Sequence, residues 1–429
     1  MASTEGSFTS GRAHPARRAV LAAAVVLAAA ASFVAAAPEG AQVVRGKVNI
    51  DTRGADTVIR AGHNSIINYS RFNVAAGERV RFVQPGRRAR VLNRILGGEP
   101  SRINGRLSAN GIVYFVNPAG VLFGPGAVIN VGTLYAAGAS ISDQDFLAGA
   151  DRFTGAVGEV VNRGRIYADA VTLLGRQVAN HGTIVAGRDS VMLLAGDEVL
   201  IGERGGRVYV RLDAADAAVE GAGVDNTGAI RAASGVRLAA GDMYSLAIRN
   251  TGQVKARAIR VEGLGGDVEV GGTLDASGRV GGTVSILGDD VSVRSAAIDA
   301  SGTLGGGTVL IGGDVQGGAG VPTARRTLVD ADTVIAADAL VRGDGGKVVV
   351  WADGAASFTG TVSATGGPAG GDGGFVETSG LGSLHVSGAA VDASAPRGNA
   401  GVWLLGPTDV TIAAAPTSGS MGAGPDWAP

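Results

Sequence analysis

Residues 161–195 read VNRGRIYADAVTLLGRQVANHGTIVAGRDSVMLLA, and this stretch contains one structural unit twice. Each copy has an Asn-x-Gly triplet followed by a short apolar run. The triplets are Asn162-Arg163-Gly164 and Asn180-His181-Gly182, and the runs are Val171–Leu174 and Val191–Leu194. Short runs of this kind between Gly, Asn and Asp turns predict β-strands. The one helical pattern, over Ser142–Ala150, predicts a short helix on a loop. Since no long helical pattern lies between the strands, alternating strand–helix folds are disfavoured.

The unit returns along the chain from Val43 to about Asp409. Asn-x-Gly recurs at Asn226 and Asn250, and Asp275-Ala276-Ser277-Gly278 returns 24 residues later as Asp299-Ala300-Ser301-Gly302. A Gly-Gly-x-Val unit begins at Gly265, Gly281, Gly306, Gly345 and Gly373. The repeat spacings vary but cluster near 16 to 28 residues, which is typical of one coil of a β-solenoid.

The composition suits such coils. Glycine accounts for 72 of 429 residues and aromatic residues for only 4%, so the core is expected to be slim and built from Val, Ile, Leu and Ala. Corners require residues that tolerate left-handed backbone angles. The recurring Asn is then either a rung of a hydrogen-bonded ladder or ordinary turn chemistry. Residues 43–110 contain more Arg and fewer Gly pairs, as expected of an N-terminal cap.

The N-terminus has the pattern of a targeting segment. Arg17-Arg18 precedes an apolar run over residues 19–31, and small residues follow. This pattern predicts a signal peptide over residues 1–36, with cleavage after Ala36. The paired arginines also fit a twin-arginine signal, although the general route is favoured. An Ala-rich core helix is the alternative, but the run has no amphipathic period.

Charge and cysteine content restrict the possible functions. The net charge is −1, which gives no indication of nucleic-acid binding, and the sequence lacks cysteine, which excludes disulfides and thiol catalysis. The sequence predicts no membrane span in the mature chain, no catalytic residues, no metal site and no cofactor. Asp289-Asp290 is an adjacent acidic pair, and a corner between strands explains it more simply than catalysis.

Two surface motifs invite a functional interpretation. The arginines between Arg79 and Arg106 form either a solvated face of the cap or a surface that meets acidic partners. Arg342-Gly343-Asp344 is an integrin-type tripeptide, but chance explains it well in a chain rich in these three residues.

Ordered blocks over residues 60–137 resemble the N-terminal secretion domain of filamentous-haemagglutinin-type exoproteins, the two-partner secretion or haemagglutination activity domain. The blocks are Ile67–Val74, Val80–Pro85, Leu92–Ile95, Ala109–Gly111, Val113–Val116 and Asn117–Gly124. Three later blocks are similar to downstream parts of the same family, namely Gly343–Gly354, Gly371–Gly380 and Val402–Leu405. The resemblance covers most of the mature chain.

The resemblance implies an all-β, right-handed, single-stranded parallel β-helix with an N-terminal cap. It also implies export through a partner outer-membrane barrel transporter, a secreted or cell-surface location, and a binding role such as that of an adhesin, with an unknown surface or glycan ligand. A secreted carbohydrate-active enzyme and a structural cell-envelope component are the alternatives. The expected secretion motif consists of Asn117, Pro118, Gly120, Asn93, Arg94 and Asn110.

One position departs from the family pattern: Ala119 stands where the commonest form of the motif has Asn, which removes a side chain able to cap the turn. The expected organisation is a signal peptide over residues 1–36 and a two-partner secretion domain over 43–160. Solenoid repeats then fill residues 161–409, and a disordered tail occupies 410–429.

Overall fold

The structure, a computed structural model, describes residues 38–204, 207–213, 219–263, 265–318 and 320–407. The predicted signal peptide and tail lie outside these residues. The described part of the chain contains no helix that is long and apolar enough to cross a membrane.

Nearly all regular structure in the described ranges is β-strand. In chain order the strands of the first half are β1 (Gln42–Arg45), β2 (Val48–Arg53), β3 (Asp56–Ala61), β4 (Ser65–Tyr69), β5 (Arg79–Val83), β6 (Arg90–Ile95), β7 (Ser101–Ile103), β8 (Arg106–Ala109), β9 (Ile112–Val116), β10 (Val121–Phe123), β11 (Val128–Asn130), β12 (Thr133–Ala137), β13 (Asp151–Phe153), β14 (Glu159–Asn162), β15 (Arg165–Ala168), β16 (Ala170–Gly175), β17 (Gln177–Asn180), β18 (Thr183–Ala186), β19 (Val191–Ala195), β20 (Glu198–Arg204) and β21 (Arg207–Asp213).

The strands of the second half continue the same pattern. They are β22 (Val219–Asn226), β23 (Ala229–Ala232), β24 (Gly235–Ala240), β25 (Tyr244–Asn250), β26 (Gln253–Lys255), β27 (Ala258–Gly263), β28 (Asp267–Asp275), β29 (Thr283–Leu287), β30 (Asp290–Asp299), β31 (Thr308–Ile311), β32 (Arg326–Val329), β33 (Val334–Ala336), β34 (Lys347–Ala352), β35 (Ala355–Phe358), β36 (Thr361–Ser363), β37 (Phe375–Gly380), β38 (Ser383–His385), β39 (Ala390–Asp392) and β40 (Val402–Pro407). Helix α1 spans Asp143–Ala148, inside the stretch 142–150 where the sequence predicts a short helix, and a 3-10 turn spans Val315–Gly317.

Most strands form three parallel stacks, which we call faces A, B and C. Face A contains β4, β6, β9, β12, β16, β19, β24, β27, β29, β31, β34, β37 and β40. Face B runs from β7 through β10, β14, β17, β22 and β25 to β38, and face C runs from β3 through β5, β8, β11, β15, β18, β23 and β26 to β39. Strands β28 and β30 bend and contribute to both B and C. Each coil therefore visits A, B and C in turn, which confirms the predicted parallel β-helix.

Similar apolar side chains (Leu, Ile and Val) stack in the core because the strands are in register from coil to coil. One buried column on face C contains Leu107, Ile129, Ile166, Ile184, Ile230, Val254, Leu274, Ile298, Ile335 and Val362. Burying each such side chain contributes about 1.5–3 kcal/mol. The slim core predicted from the composition is therefore confirmed.

The N-terminal end of the coil stack is closed by antiparallel strands. Strand β1 pairs antiparallel with β4, and β2 pairs antiparallel with β3. Val48 and Ile50 pack against the first coil from this hairpin. The expected N-terminal cap is present, and it covers a sheet edge that would otherwise be open to other strands.

The recurring Asn residues form a hydrogen-bonded ladder in the core. The Nδ2 of Asn162 donates to Asn180 Oδ1 at 2.8 Å, Asn180 donates to Asn226 at 2.7 Å, and Asn226 donates to Asn250 at 2.7 Å. All four side chains are fully buried. The ladder interpretation of the Asn-x-Gly triplets is therefore confirmed.

We expect Asn180→Ala to lower the free energy of unfolding by about 2–4 kcal/mol, because it leaves the Asn162 amide and the Asn226 carbonyl buried without their partners. Hydrogen exchange of the coils around residues 160–230 measures the effect. The matched variant Asn49→Ala removes an exposed amide and should leave exchange unchanged. Equal protection in both variants would contradict a stabilising ladder.

Paired glycines occupy the corner between faces C and A. A Cβ atom on Gly282, Gly307, Gly346 or Gly374 would lie 2.1–2.2 Å from a carbonyl oxygen of a neighbouring coil. Successive backbones therefore approach too closely for any side chain, which explains the repeated Gly-Gly pairs.

Candidate functional site

The sharpest feature of the predicted motif is the turn from face A to face B at Asn117. The Asn117 side chain is buried. Its Nδ2 donates to Glu99 O at 2.9 Å and to Ser101 Oγ at 3.0 Å, and its Oδ1 accepts from the Ala119 N–H at 3.0 Å. The backbone N–H of Gly120 donates to Asn117 O at 2.8 Å. One side chain therefore links this turn to the preceding coil.

Gly120 is required by its backbone angle and by close packing. Its φ is 112°, and a Cβ atom there would lie 2.7 Å from Glu159 O in the next coil. A Cβ on Gly158, in turn, would lie 2.5 Å from both Gly120 N and Pro118 O. The turn is thus held between the coil before it and the coil after it.

Ala119 uses only its backbone in this turn. The capping interaction comes from Asn117, whose Oδ1 receives the Ala119 N–H. A larger polar residue is not needed for these hydrogen bonds.

Asn110 fixes the corner between faces C and A one coil earlier. It forms a two-way pair with the backbone of Gln84, receiving the N–H at 2.8 Å and donating to the carbonyl at 2.7 Å. Asn93 lies inside face A, where its Nδ2 donates to Tyr114 O at 3.1 Å. The Oδ1 of Asn93 is buried and has no hydrogen-bond partner among the described residues.

Arg94 points outward from face A and fastens a segment that lies outside the solenoid. Its Nη2 donates to Ile141 O at 2.9 Å and to Asp143 Oδ1 at 2.6 Å, at the start of α1. The predicted motif residues therefore divide into groups. Asn117, Pro118 and Gly120 share one turn. Asn93 and Arg94 are neighbours on β6, one side chain inside the solenoid and the other outside, and Asn110 lies at a separate corner.

An outer layer covers the first half of face A. Of this layer, the sequence predicts only the helix. Strands β13, β20 and β21 form a three-stranded antiparallel sheet beside α1. A second apolar cluster lies between this layer and face A. It includes Tyr114 and Tyr135, whose rings stack at 4.3 Å, together with Phe146 and Phe153. The one sequence feature that could have indicated this second cluster is the concentration of aromatic residues in this part of the chain.

A partly buried carboxyl group lies in this outer layer. The Tyr114 hydroxyl donates to Asp151 Oδ1 at 2.8 Å, and burial raises the pKa of Asp151 above its ordinary value. The guanidinium of Arg90 lies 5.0 Å from the Phe146 ring centre and opposes the rise in this pKa. Burial also raises the pKa of Tyr114 and Tyr135.

The raised pKa predicts that the outer layer docks better in acid. A carboxyl group whose folded-state pKa is raised stabilises the fold below its ordinary pKa, and this contribution is lost as pH rises through the raised value. We expect the hydrogen-exchange protection factors of residues 143–153 to fall across that window. Asp151→Asn keeps an acceptor for Tyr114 without the charge and should abolish this pH dependence, whereas Glu159→Gln on the exposed surface should retain it. A pH dependence that persists in Asp151→Asn would disprove the assignment.

The acidic pair Asp289-Asp290 and the tripeptide Arg342-Gly343-Asp344 make contacts within the solenoid. Arg325 and Arg326 both bind Oδ2 of Asp290, which lowers the pKa of that carboxyl group. In the integrin-type tripeptide, Oδ1 of Asp344 receives the backbone N–H of Asp372 at 2.8 Å. Both acids therefore serve contacts between successive coils. Among the described residues, no group of three or more His, Asp or Glu side chains is arranged to hold a metal ion.

Comparison with known proteins places this geometry in a family. The family described as the TPS secretion domain matches residues 35–280. Two relatives from Haemophilus influenzae are named heme/hemopexin-binding protein. One is 34% identical over 170 residues, which are 37% of this chain and 19% of that protein. The other is 39% identical over 101 residues, which are 23% of this chain and 11% of that protein. The matched stretch thus spans about a fifth of those relatives or less.

A solved structure agrees with the fold. The crystal structure of the HMW1 secretion domain from Haemophilus influenzae superposes with a TM-score of 0.75 and 30% identity, covering 86% of this chain and 100% of that one. The family match covers more than half of the sequence and includes the Asn117 turn, the outer layer and the Asn ladder. The chain belongs to the family of TPS secretion-domain proteins, which are exported and are secreted or surface-exposed.

Proposed function

We propose that this protein is exported through a partner outer-membrane barrel and then acts as a β-helical binding protein of the adhesin or haemagglutinin type. The observation that carries the proposal is the match to the TPS secretion domain over residues 35–280, on a solenoid of the expected shape. Export of an unfolded chain suits a sequence without cysteine, because no disulfide can lock it early.

In this proposal the turn at Asn117, Pro118 and Gly120 contributes to secretion by fixing the first coils. Each coil rests on the one before it, so a well-fixed early turn offers a template for the next strands. Asn93, Arg94 and Asn110 stabilise the same coils through separate contacts. Residues 43–160 form the secretion segment and residues 161–409 the repeats that extend the binding surface.

The ligand is proposed from the architecture rather than from the names of relatives. The heme/hemopexin-binding proteins share at most 19% of their length with this chain, so the ligand in their names is not transferred. A long solenoid presents extended outer faces, which suit attachment to a surface or a glycan. The enzyme alternative is less well supported, because Asp290, in the acidic pair Asp289-Asp290, is neutralised by Arg325 and Arg326.

Export in a Gram-negative host, with and without the cognate barrel, tests this proposal. Native protein is expected in the medium or on the cell surface only when the barrel is present. Release without the barrel, or folded protein kept in the periplasm, would overturn the two-partner mechanism. Fractionation between medium and envelope, followed by cell-binding assays, then separates an adhesin from a structural envelope component.

A further inference from the structure

The corner between faces C and A lengthens towards the C-terminal end of the solenoid. From β8 to β26, each strand of face C is joined to the next strand of face A by at most four residues. The last five described connections, from β28 onwards, contain between seven and eleven residues each. We call the apolar tips of these five loops the corner ridge, which consists of Val280, Leu304, Leu340, Val341, Pro368, Ala369 and Pro396.

Backbone hydrogen bonds join each loop of the ridge to the next loop. They run from the N–H group of the first residue to the carbonyl oxygen of the second in the pairs Leu304 and Arg279, Leu340 and Gly302, Ala369 and Val341, and Gly366 and Ser394, at 2.8–2.9 Å. Since neighbouring coils are spaced by about 4.8 Å, the five tips form a line roughly 20 Å long. The ridge is therefore a regular feature of the stack.

The tips leave a strip of apolar side chains open to solvent. Val280, Leu340 and Val341 are 61%, 55% and 49% exposed, and Pro368 and Ala369 are also exposed. Single exposed apolar residues are ordinary on a protein surface, but a contiguous strip marks a contact surface. Closing the corner does not require these side chains, because the coils from β8 to β26 close it with at most four residues.

Charged residues of both signs flank the apolar strip. Arg279, Arg342 and Arg397 are exposed, and among the described residues none of them forms an ion pair with a carboxylate. Asp344 and Asp372 are exposed in the same loops, and each uses its Oδ1 to accept a backbone N–H of the following coil. The ridge therefore offers both signs of charge, as a surface that binds an identical surface must.

We propose that the corner ridge pairs with the corner ridge of a second copy of this chain, with the two solenoids side by side and antiparallel. A second ridge rises by the same distance per coil, so its tips match the gaps between the tips of the first. A two-fold axis between the loops at residues 337–346 and 364–374 makes the contacts reciprocal. Arg342 of each copy then faces Asp372 of the other copy, and Val341 faces Ala369.

Pairing through so short a strip is weak for two isolated molecules, since interfaces below about 1,200 Å² are mostly transient. It gains strength where many copies are displayed together, because each pair that forms holds its neighbours close. The pairing goes beyond the proposed function and does not depend on which ligand the protein binds.

Sedimentation equilibrium of the purified, exported protein over a series of concentrations tests the pairing. The native protein should dimerise reversibly. The double variant Leu340→Ser, Val341→Ser should raise the dissociation constant of the dimer by about tenfold or more, because two apolar side chains from each copy lose their burial.

The matched control removes two equally exposed apolar side chains outside the ridge, by Leu96→Ser and Val157→Ser. This variant should dimerise like the native protein. Circular dichroism of both double variants should match that of the native protein, since all four residues are exposed and outside the core.

The cysteine-free sequence allows a second measurement, in which a single thiol reports the direction of pairing. In the antiparallel pair, Val341→Cys lies next to its counterpart across the axis, so oxidation by oxidised glutathione should link two copies through a disulfide. Val280→Cys lies several coils from its counterpart and should stay unlinked. Equal linking of both variants would indicate a parallel pair and would contradict the proposed arrangement.

Three further results would overturn the inference. They are a native protein that stays monomeric at every concentration, equal losses of dimer in the two double variants, and equal linking of Val157→Cys outside the ridge. If the monomer instead binds phosphatidylcholine vesicles and the ridge variant does not, the ridge serves a lipid surface and the pairing is wrong. Self-association is measured on protein already exported, so its failure is distinguishable from failure of the proposed function.

Discussion

Asn117→Ala is expected to abolish barrel-dependent export and to lower the free energy of unfolding by about 3–5 kcal/mol. The side chain makes three hydrogen bonds in a buried turn, and its removal strands Glu99 O, Ser101 Oγ and the Ala119 N–H. Each buried polar group left unpaired costs about 1–3 kcal/mol. Export is measured by immunoblotting of the medium, and stability by denaturant titration of the refolded chain.

The control is Asn130→Ala, since Asn130 is exposed on β11 in the same coil. This variant should be exported normally and should unfold at the same denaturant concentration as the native protein. Two results would revise the role of Asn117. An exported but unstable variant would mean that the turn serves only the folded protein, and a stable but retained variant would indicate direct contact with the transporter.

Gly346→Ala is expected to destabilise the C-terminal coils by about 3 kcal/mol or more. The new Cβ atom would lie 2.2 Å from Gly307 O and 2.8 Å from the Ala337 Cβ, so successive coils must separate at this corner. Overpacking of this kind usually costs about 1–3 kcal/mol, and the cost rises where backbone rather than a side chain must move. Hydrogen exchange over residues 307–380 measures the loss, because a solenoid unfolds locally rather than in one step.

Gly86→Ala provides the comparison. A Cβ atom on Gly86 meets no atom within 4 Å, and the residue does not have a positive φ. Its effect should stay within about 0.5 kcal/mol, as for ordinary surface substitutions. If both variants behave alike, the Gly-Gly repeat reflects chain flexibility and not close contact between coils.

Much of the fold could be predicted from the sequence, because strands and corners depend on local residue chemistry. Apolar alternation predicts strands, and Gly, Asn and Asp predict corners, because each depends on neighbouring residues alone. The helix at Asp143–Ala148 was predicted for the same reason, with Ser142 capping its first turn through the Asp145 N–H. The resemblance of the blocks around Asn117 then supplied the family, which the match over residues 35–280 confirms.

The candidate site could be predicted from the sequence only in part. The sequence indicated Asn117, Pro118 and Gly120 as a turn, but gave no sign that Asn117 reaches Ser101 across 16 residues. It placed Arg94 in the same motif, although that side chain holds the outer layer through Asp143, 49 residues away. Such contacts depend on which coils become neighbours, and this is a property of the whole stack.

By itself, the sequence determined a cysteine-free chain of short strands and glycine-rich corners that coils into a solenoid, because these features are local and repeated. Only the tertiary structure decided the register between coils. Asn180 and Asn226 are 46 residues apart because the β20–β21 hairpin intervenes, yet their side chains are adjacent rungs of one ladder. Insertions of unequal length hide the coil period, so the ladder and the outer layer emerge only when the strands are stacked.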